Sequence, residues 1–361
     1  MLVKAVVYDE YGATPTLVDV PPPACPNDGV LIRVAATGVC RSDWHAWKGH
    51  DPVALPHIPG HELAGVVAEA GPGVTGWRVG DRVTVPFVCG CGACDLCAAG
   101  ETQVCPQQTQ PGFTGPGSFA ELVAIHAADT NLVAVPDTID FVTAAALGCR
   151  FATAFRAMTT HARVQRGDWV AVHGCGGLGL SAVMIAAALG ARVIAVDVSA
   201  AVLHSARQLG AEVVIDAGVE DEVVSVIVDA TGGGAHVSLD ALGSPGTAVA
   251  SVLCLRPRGR HVQVGLLFGP DSTPAVPMDR VISAELEIYG SHGMPAGEYP
   301  TMLALIANGT LRPDLLVGQV IGLEDAGAAL AAMDHGAPRS SPAGMTVVEI
   351  PFVDSGDFER I

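Results

Sequence analysis

Positive charge is scarce in this chain. Its 361 residues carry 19 basic against 37 acidic side chains, a formal net charge of −18, and Lys4 and Lys48 are the only lysines. Nucleic acids and anionic membranes are bound through basic patches, so neither is an expected partner. The bias toward arginine carries no functional reading. Long apolar runs are missing as well. The longest, around Leu178–Leu189, is interrupted by glycine and too short to cross a bilayer. The first eight residues, Met1 to Tyr8, read as a strand and not as a secretory leader. The expected compartment is therefore the cytoplasm, where ten cysteines read as metal ligands or buried thiols and not as disulfides. No internal repeat or low-complexity tract stands out.

The length allows two domains with cores of their own. Val3–Tyr8, Thr16–Val20 and Val30–Ala36 read as strands between Pro/Gly turns, and residues 62–86 and 118–135 continue in the same way. Residues 89–117 are rich in Gly and Pro, hold five cysteines and show little periodicity, so this segment needs a staple. The first 140 residues are thus mostly β. Near Thr143 the pattern changes to strand–helix alternation: Trp169–His173, 177–189, Arg192–Val196, 200–209, Val213–Ile215, 220–230, Val237–Asp240, 245–255 and Arg260–Val264. That alternation predicts an α/β fold with a doubly wound parallel sheet. A strand at Leu286–Ser291, helices at Tyr299–Asn308 and near 324–333, and a strand at Thr346–Ile350 complete the reading, with a polar tail from Asp354.

Three motifs carry chemistry. Cys91, Cys94, Cys97 and Cys105 can wrap one tetrahedral zinc with no open position, a structural site that supplies the missing staple. Cys89 is one cysteine too many. The second set is Cys40, Asp43, His45, His61 and Glu62, with Cys149 further along. A thiolate, imidazole and carboxylate set short of a fourth protein ligand suits a catalytic zinc. Taken singly, each of these residues has a plain structural reading, and separations of 21 and 88 residues are not a pattern that spacing alone establishes. The third is Gly174-Cys-Gly176-Gly177-Leu178-Gly179, between a strand and a helix, where glycines allow a pyrophosphate to approach a helix N-terminus. Asp197 follows eighteen residues after Gly179, placed to accept hydrogen bonds from a ribose and to repel a 2′-phosphate, which favours NAD. Its competing reading is a helix N-cap, a role Ser199 also suits.

These residues carry a resemblance. The chain resembles the zinc-dependent alcohol dehydrogenases of the medium-chain dehydrogenase/reductase family, from its first strand to about residue 350. The stretch Gly60-His-Glu62-x2-Gly65-x5-Gly71-x2-Val74 fits that family's zinc signature. The four-cysteine loop has its 2-2-7 spacing, and Gly-Val-Cys40-Arg-Ser-Asp-Trp-His45 is equally characteristic. The resemblance implies that Cys40, His61 and Cys149 hold the catalytic zinc, Glu62 is a transient ligand, and Asp43 orients His61. It implies that Ser42 touches the substrate oxygen and that His45 ends a proton relay through the nicotinamide ribose. Arg41 would neutralise the pyrophosphate, Thr153 and Leu178 would pack against the nicotinamide, and Phe87, Phe113 and Thr114 would line the substrate pocket.

The implied fold is a mostly-β GroES-like catalytic domain over 1–150, with its zinc lobe at about 89–106. An inserted Rossmann domain would span 151–289, and 290–361 would return to the first domain. The implied cofactors are two zinc ions per subunit and NAD, the substrate an alcohol or its aldehyde or ketone, and the assembly a homotetramer or dimer. A polyol or amino-alcohol dehydrogenase of the same family is an alternative, against which Cys149 counts. A non-catalytic, zinc-stapled nucleotide-binding scaffold is another, against which the full set of ligand and relay residues counts. Two departures stand out. The arginine many members carry near position 345 is Met345 here, with Arg339 a candidate substitute. Asp51 takes the place of a bulky apolar pocket residue, and its Asp51-Pro52 turn reads as solvent-facing.

Overall fold

Two sheets organise the chain, joined by one long buried helix. The computed structural model describes residues 2–335 and 344–351. The first sheet has six parallel strands in the order 211–216, 192–197, 169–173, 235–240, 255–263, 287–290. Helices Gly177–Ala188, Ala200–Gln208, Val223–Thr231 and Pro245–Leu253 connect them. Val170, Ala171, Val172, Ile194 and Ala195 are all fully buried, as a sheet covered on both faces requires. The strand order reverses between Trp169–His173 and its neighbour Ala235–Asp240. At such a switch point the loops part and leave a crevice beyond the strand ends.

The second sheet runs in the order 317–321, 345–349, 30–39, 62–70, 82–84, 133–134, and Leu122–Ile125 also pairs with its central strand. That strand, Val30–Val39, is buried except for Arg33. Thr346 lies opposite Val39, so the end of the chain closes onto the sheet built by its beginning. The strand Val317–Ile321 falls where the sequence pattern predicts no element. It is short and half exposed, so its apolar residues do not alternate cleanly. The helices Arg41–Trp47 and Met278–Ser283 likewise fall where no element is predicted, and most of the predicted elements shift by a residue or a few at their ends.

The joint is the stretch from Phe141 to His161. It is helical throughout, opened into two wide π turns at Leu147–Phe151 and Ala157–His161. Asp140 caps its start, accepting a 2.7 Å hydrogen bond from the Thr143 N–H. One flank packs on strands 30–39 and 62–70, the other on helix Gly177–Ala188. Being buried on nearly every side, it has no single apolar stripe, which is why the sequence marks only a change of pattern near Thr143. Its Leu147, Phe151 and Met158 belong to a core that runs from Ala36 and Ala64 in one sheet to Val170 and Leu239 in the other. Emptying the fully buried Phe151 position to alanine costs about 3–5 kcal/mol. Among the described residues, no helix is long and apolar enough to cross a membrane.

Candidate active site

Four side chains meet where the joint helix touches the second sheet. Cys40 follows strand Val30–Val39 and occupies the N-cap of helix Arg41–Trp47. His61 precedes strand Glu62–Ala70, Glu62 begins it, and Cys149 sits in the first π turn, a feature common at functional sites. One ligand atom from each of the four lies within 4.8 Å of all the others, and all four residues are buried.

The histidine's hydrogen bonding sets the direction of the site. His61 Nδ1 lies 2.8 Å from Asp43 Oδ1, and a carboxylate only accepts, so Nδ1 carries the proton. Nε2 is buried and without a hydrogen-bond partner, and in the neutral ring that a metal binds it keeps its lone pair. A buried acceptor left unsatisfied costs about 1–3 kcal/mol. A metal ion relieves that cost, and two sulfurs, one imidazole nitrogen and a carboxylate fit zinc. Asp43 is itself fixed by the N–H groups of Cys40 at 3.0 Å and Gly60 at 3.1 Å. A hydrogen bond from Cys149 holds the Cys40 thiol well below its usual range, although burial opposes it. For His61, burial pulls the imidazole down, but the Asp43 charge and hydrogen bond outweigh it.

Glu62 faces away from a lone metal role. Its Oε1 accepts from the Arg150 backbone N–H at 3.1 Å and from Arg150 Nε at 2.9 Å, and its Oε2 accepts from Arg150 Nη2. Burial pushes the Glu62 carboxyl up, and the guanidinium pulls it back only in part. Gly38 makes room for this carboxylate, since a Cβ there would stand 2.1 Å from Glu62 Oε2. Sequence reasoning missed Arg150. The signal that could have found it is a charged side chain inside an otherwise apolar helix, directly after a ligand cysteine.

The rim is aromatic. Phe113 and Phe87 pack on the His61 ring at centroid distances of 5.1 and 6.0 Å, and Phe87 also meets His292 at 5.1 Å. Thr114 is turned into its own loop, bonded to Gln110, and lines a separate cavity of about 250 Å³ with Val3, Ala120 and Ile125. Ser42 is half-buried on the same helix as His45. His45 Nδ1 lies 3.1 Å from Nδ1 of the exposed His50, and Phe268 covers the His45 ring at 4.5 Å. His50 and Phe268 are also additions from the structure, since neither belongs to a spaced motif. Arg41 stacks on Trp44 at 3.9 Å and donates to the Met333 carbonyl at 2.7 Å. Asp51 is exposed.

The glycine loop leads from the parallel sheet into helix Gly177–Ala188. Gly174 has φ +83°, and a Cβ at Gly179 would stand 1.9 Å from the Gly174 carbonyl oxygen, so the turn closes only with glycine. A Cβ on Gly176 would meet nothing within 4 Å, which leaves that face open for a pyrophosphate. Asp197 accepts from the Cys175 N–H at 2.7 Å and the Ser199 N–H at 2.9 Å. The N-cap of the next helix is Ser199, which accepts from the Val202 N–H, so Asp197 is not that cap. Leu178 is half-buried and Thr153 buried. Met345 is buried beside Gly177, while Arg339 and the tail from Asp354 lie outside the described residues.

A second group, Cys91, Cys94, Cys97 and Cys105, likewise brings its sulfurs within 4.8 Å of one another. Cys105 Sγ accepts from the N–H groups of Cys91 and Gln107. A hydrogen bond from the Ala93 backbone lowers the Cys91 thiol to about 6. Four cysteine sulfurs so placed fit a closed tetrahedral zinc. Cys89 stands apart in the core, its thiol donating to the Pro86 carbonyl and pushed up to about 12 by burial.

Comparison with known proteins agrees with this chemistry. Residues 26–137 match the alcohol dehydrogenase GroES-like domain, and residues 177–308 match the zinc-binding dehydrogenase family. An alcohol dehydrogenase of Geobacillus stearothermophilus is 36% identical over 291 residues, covering 80% of this chain and 84% of its own. The solved alcohol dehydrogenase of the archaeon Aeropyrum pernix superposes with a TM-score of 0.85 at 31% identity, over 96% of this chain and 99% of that one. That of Thermus sp. ATN1 reaches 0.88 at 27% identity, over 96% and 100%. The chain belongs to the zinc-dependent alcohol dehydrogenases of the medium-chain dehydrogenase/reductase family, oxidoreductases that interconvert alcohols with aldehydes or ketones using zinc and a nicotinamide dinucleotide.

Proposed function

We propose that Cys40, His61 and Cys149 are the protein ligands of the catalytic zinc. The buried, unpartnered Nε2 of His61, aimed at two sulfurs, carries this reading. Asp43 fixes the imidazole, and Glu62 waits as a fourth ligand under the grip of Arg150. Bound here, zinc would supply the charge that acidifies an alcohol's hydroxyl, and a nicotinamide would serve as the hydride acceptor. The residues do the rest. Ser42 and His45 stand three apart on one helix and therefore share a face. Ser42 receives the substrate's proton, and His45 passes it outward to the exposed His50. Phe87 and Phe113 exclude water from the reacting carbon and favour an apolar substrate.

The glycines 174, 176, 177 and 179 hold the pyrophosphate, Arg41 adds charge to it, Thr153 and Leu178 support the nicotinamide, and Asp197 selects NAD. Cys91, Cys94, Cys97 and Cys105 hold a structural zinc. The chain divides near residues 150 and 290, a reading supported by the pairing of Thr346 with Val39. The enzyme is cytoplasmic and a homo-oligomer, most plainly a tetramer. The exposed edge strand Glu287–Gly290, with Ile288 42% exposed, and Ile282, 73% exposed on the preceding helix Met278–Ser283, support association. NADH formation across primary, secondary, aromatic and polyol substrates, with zinc measured alongside, tests the reading. Turnover of aromatic or aliphatic alcohols supports it, and turnover of polyols alone overturns the substrate class.

A further inference from the structure

We propose that Arg150 anchors the dinucleotide's pyrophosphate, using the guanidinium edge that Glu62 leaves open. The inference rests on the reading of the glycine loop as the cofactor site. Arg150 reaches Glu62 with its backbone N–H, Nε and Nη2. Among the described residues, no hydrogen-bond partner claims Nη1. That nitrogen points to the loop: a Cβ built on Gly177 would stand 3.1 Å from Arg150 Nη1 and 2.8 Å from its Cδ. Gly177 is the first residue of a twelve-residue helix whose opening N–H groups face the same crevice. The side chain is about 12% exposed, so its charge is largely shielded from water yet reachable from the crevice.

The position of Met345 sharpens the inference. Its Cε would stand 3.4 Å from the same Gly177 Cβ, so Met345 and Arg150 border one spot. A thioether there offers a phosphate nothing, whereas a planar guanidinium can hold a carboxylate on one edge and donate to a phosphate oxygen with the other. Arg150 thereby connects two sites: the carboxylate beside the zinc ligands and the anion-binding end of the helix. It is a cofactor-binding residue, and its hold on Glu62 is a separate, positioning role.

Calorimetric titration of the zinc-replete protein with ADP-ribose, ADP and adenosine tests this. Arg150→Gln is expected to weaken ADP-ribose and ADP by about 10- to 100-fold, the effect of losing one charge-assisted hydrogen bond, and to leave adenosine within about twofold. Glu62→Gln keeps the guanidinium and removes a nearby negative charge, so ADP-ribose should bind as well or more tightly. Arg150→Lys keeps the charge without the fork, and serves if the glutamine variant does not fold. It should lose affinity for ADP-ribose and ADP by a smaller factor, again sparing adenosine. Unchanged ADP-ribose affinity in a folded Arg150 variant overturns the inference. So does an equal loss for adenosine, or an equal loss in Glu62→Gln, which would mean that Arg150 acts only through Glu62. A wild-type protein that binds none of the three overturns the cofactor-site reading, and this inference with it.

Discussion

Asp43 and His61 are joined by a 2.8 Å hydrogen bond between two side chains with no exposed surface. The bond decides which imidazole nitrogen is free, and with it the direction of the whole metal site. Asp43→Asn keeps the shape but replaces one of two acceptor oxygens, Oδ1 taking His61 and Gly60 and Oδ2 the Cys40 N–H, with an amide nitrogen that cannot accept. Zinc affinity at the Cys40/His61/Cys149 site should fall about 10- to 100-fold. Competition with a graded chelator measures this, and only one of the two zinc ions per subunit should become labile.

Asp197 holds the glycine loop by the Cys175 N–H, and the proposed cofactor reading has it meet the adenosine ribose as well. Asp197→Ala should narrow the preference for NAD over NADP, because a repelling charge is gone. NAD itself should also bind less tightly, because the loop loses an anchor. The ratio of kcat/KM for the two cofactors measures the first effect. A parent enzyme that already uses NADP better would contradict the assignment.

The sequence made the parallel sheet and the Cys91 to Cys105 group legible for different reasons. The strands at Val170, Ile194 and Leu239 are apolar and evenly spaced, and Gly174 to Gly179 mark a turn that only glycine can make. Cys91 to Cys105 declare themselves by closeness alone. Cys149 is brought to Cys40 by a helix that is buried all round, so neither spacing nor periodicity announces it. Arg150 escaped for the same reason: its meaning depends on where the π turn aims it, at Glu62 and Gly177. The expected place of Thr114 in the substrate pocket came from the family resemblance, and in the structure its hydroxyl bonds to Gln110 within the 110–114 turn.

His45 is held at about 4 by burial first, then by the neighbouring charges of His50 and Arg41. It is therefore neutral throughout pH 6 to 9 and holds a relayed proton only in passing. In His45→Gln, substrate deprotonation must rely on solvent base, so single-turnover hydride transfer should slow roughly tenfold or more near pH 6 and recover as pH rises. Small buffer bases should restore part of the rate. Zinc content should not change. A single-turnover rate equal to wild type across this range would return His45 to a surface role.

His173 ends a central strand, is fully buried, and is lowered from 6.5 to about 4 by burial. Its folded-state value is depressed, so the unfolded chain binds the proton first. The stability it contributes is complete above about pH 6.5 and is lost as pH falls toward 4, by at most about 3 kcal/mol. His173→Gln should lose less stability than wild type between pH 7 and 4.5. Urea midpoints at matched pH measure the difference, in which the other buried histidines cancel. Parallel curves would contradict it.

Zinc bound per subunit, counted in the wild type and in Cys149→Ala and compared with NADH formation, tests the account most directly. Two zinc ions are expected in the wild type and one in the variant. The variant should lose alcohol oxidation but unfold at nearly the wild-type temperature, whereas Cys97→Ala should lower that temperature, because the closed site contributes folding energy. One zinc or none in wild-type protein handled without chelators, or two zinc ions with retained activity in Cys149→Ala, would contradict it.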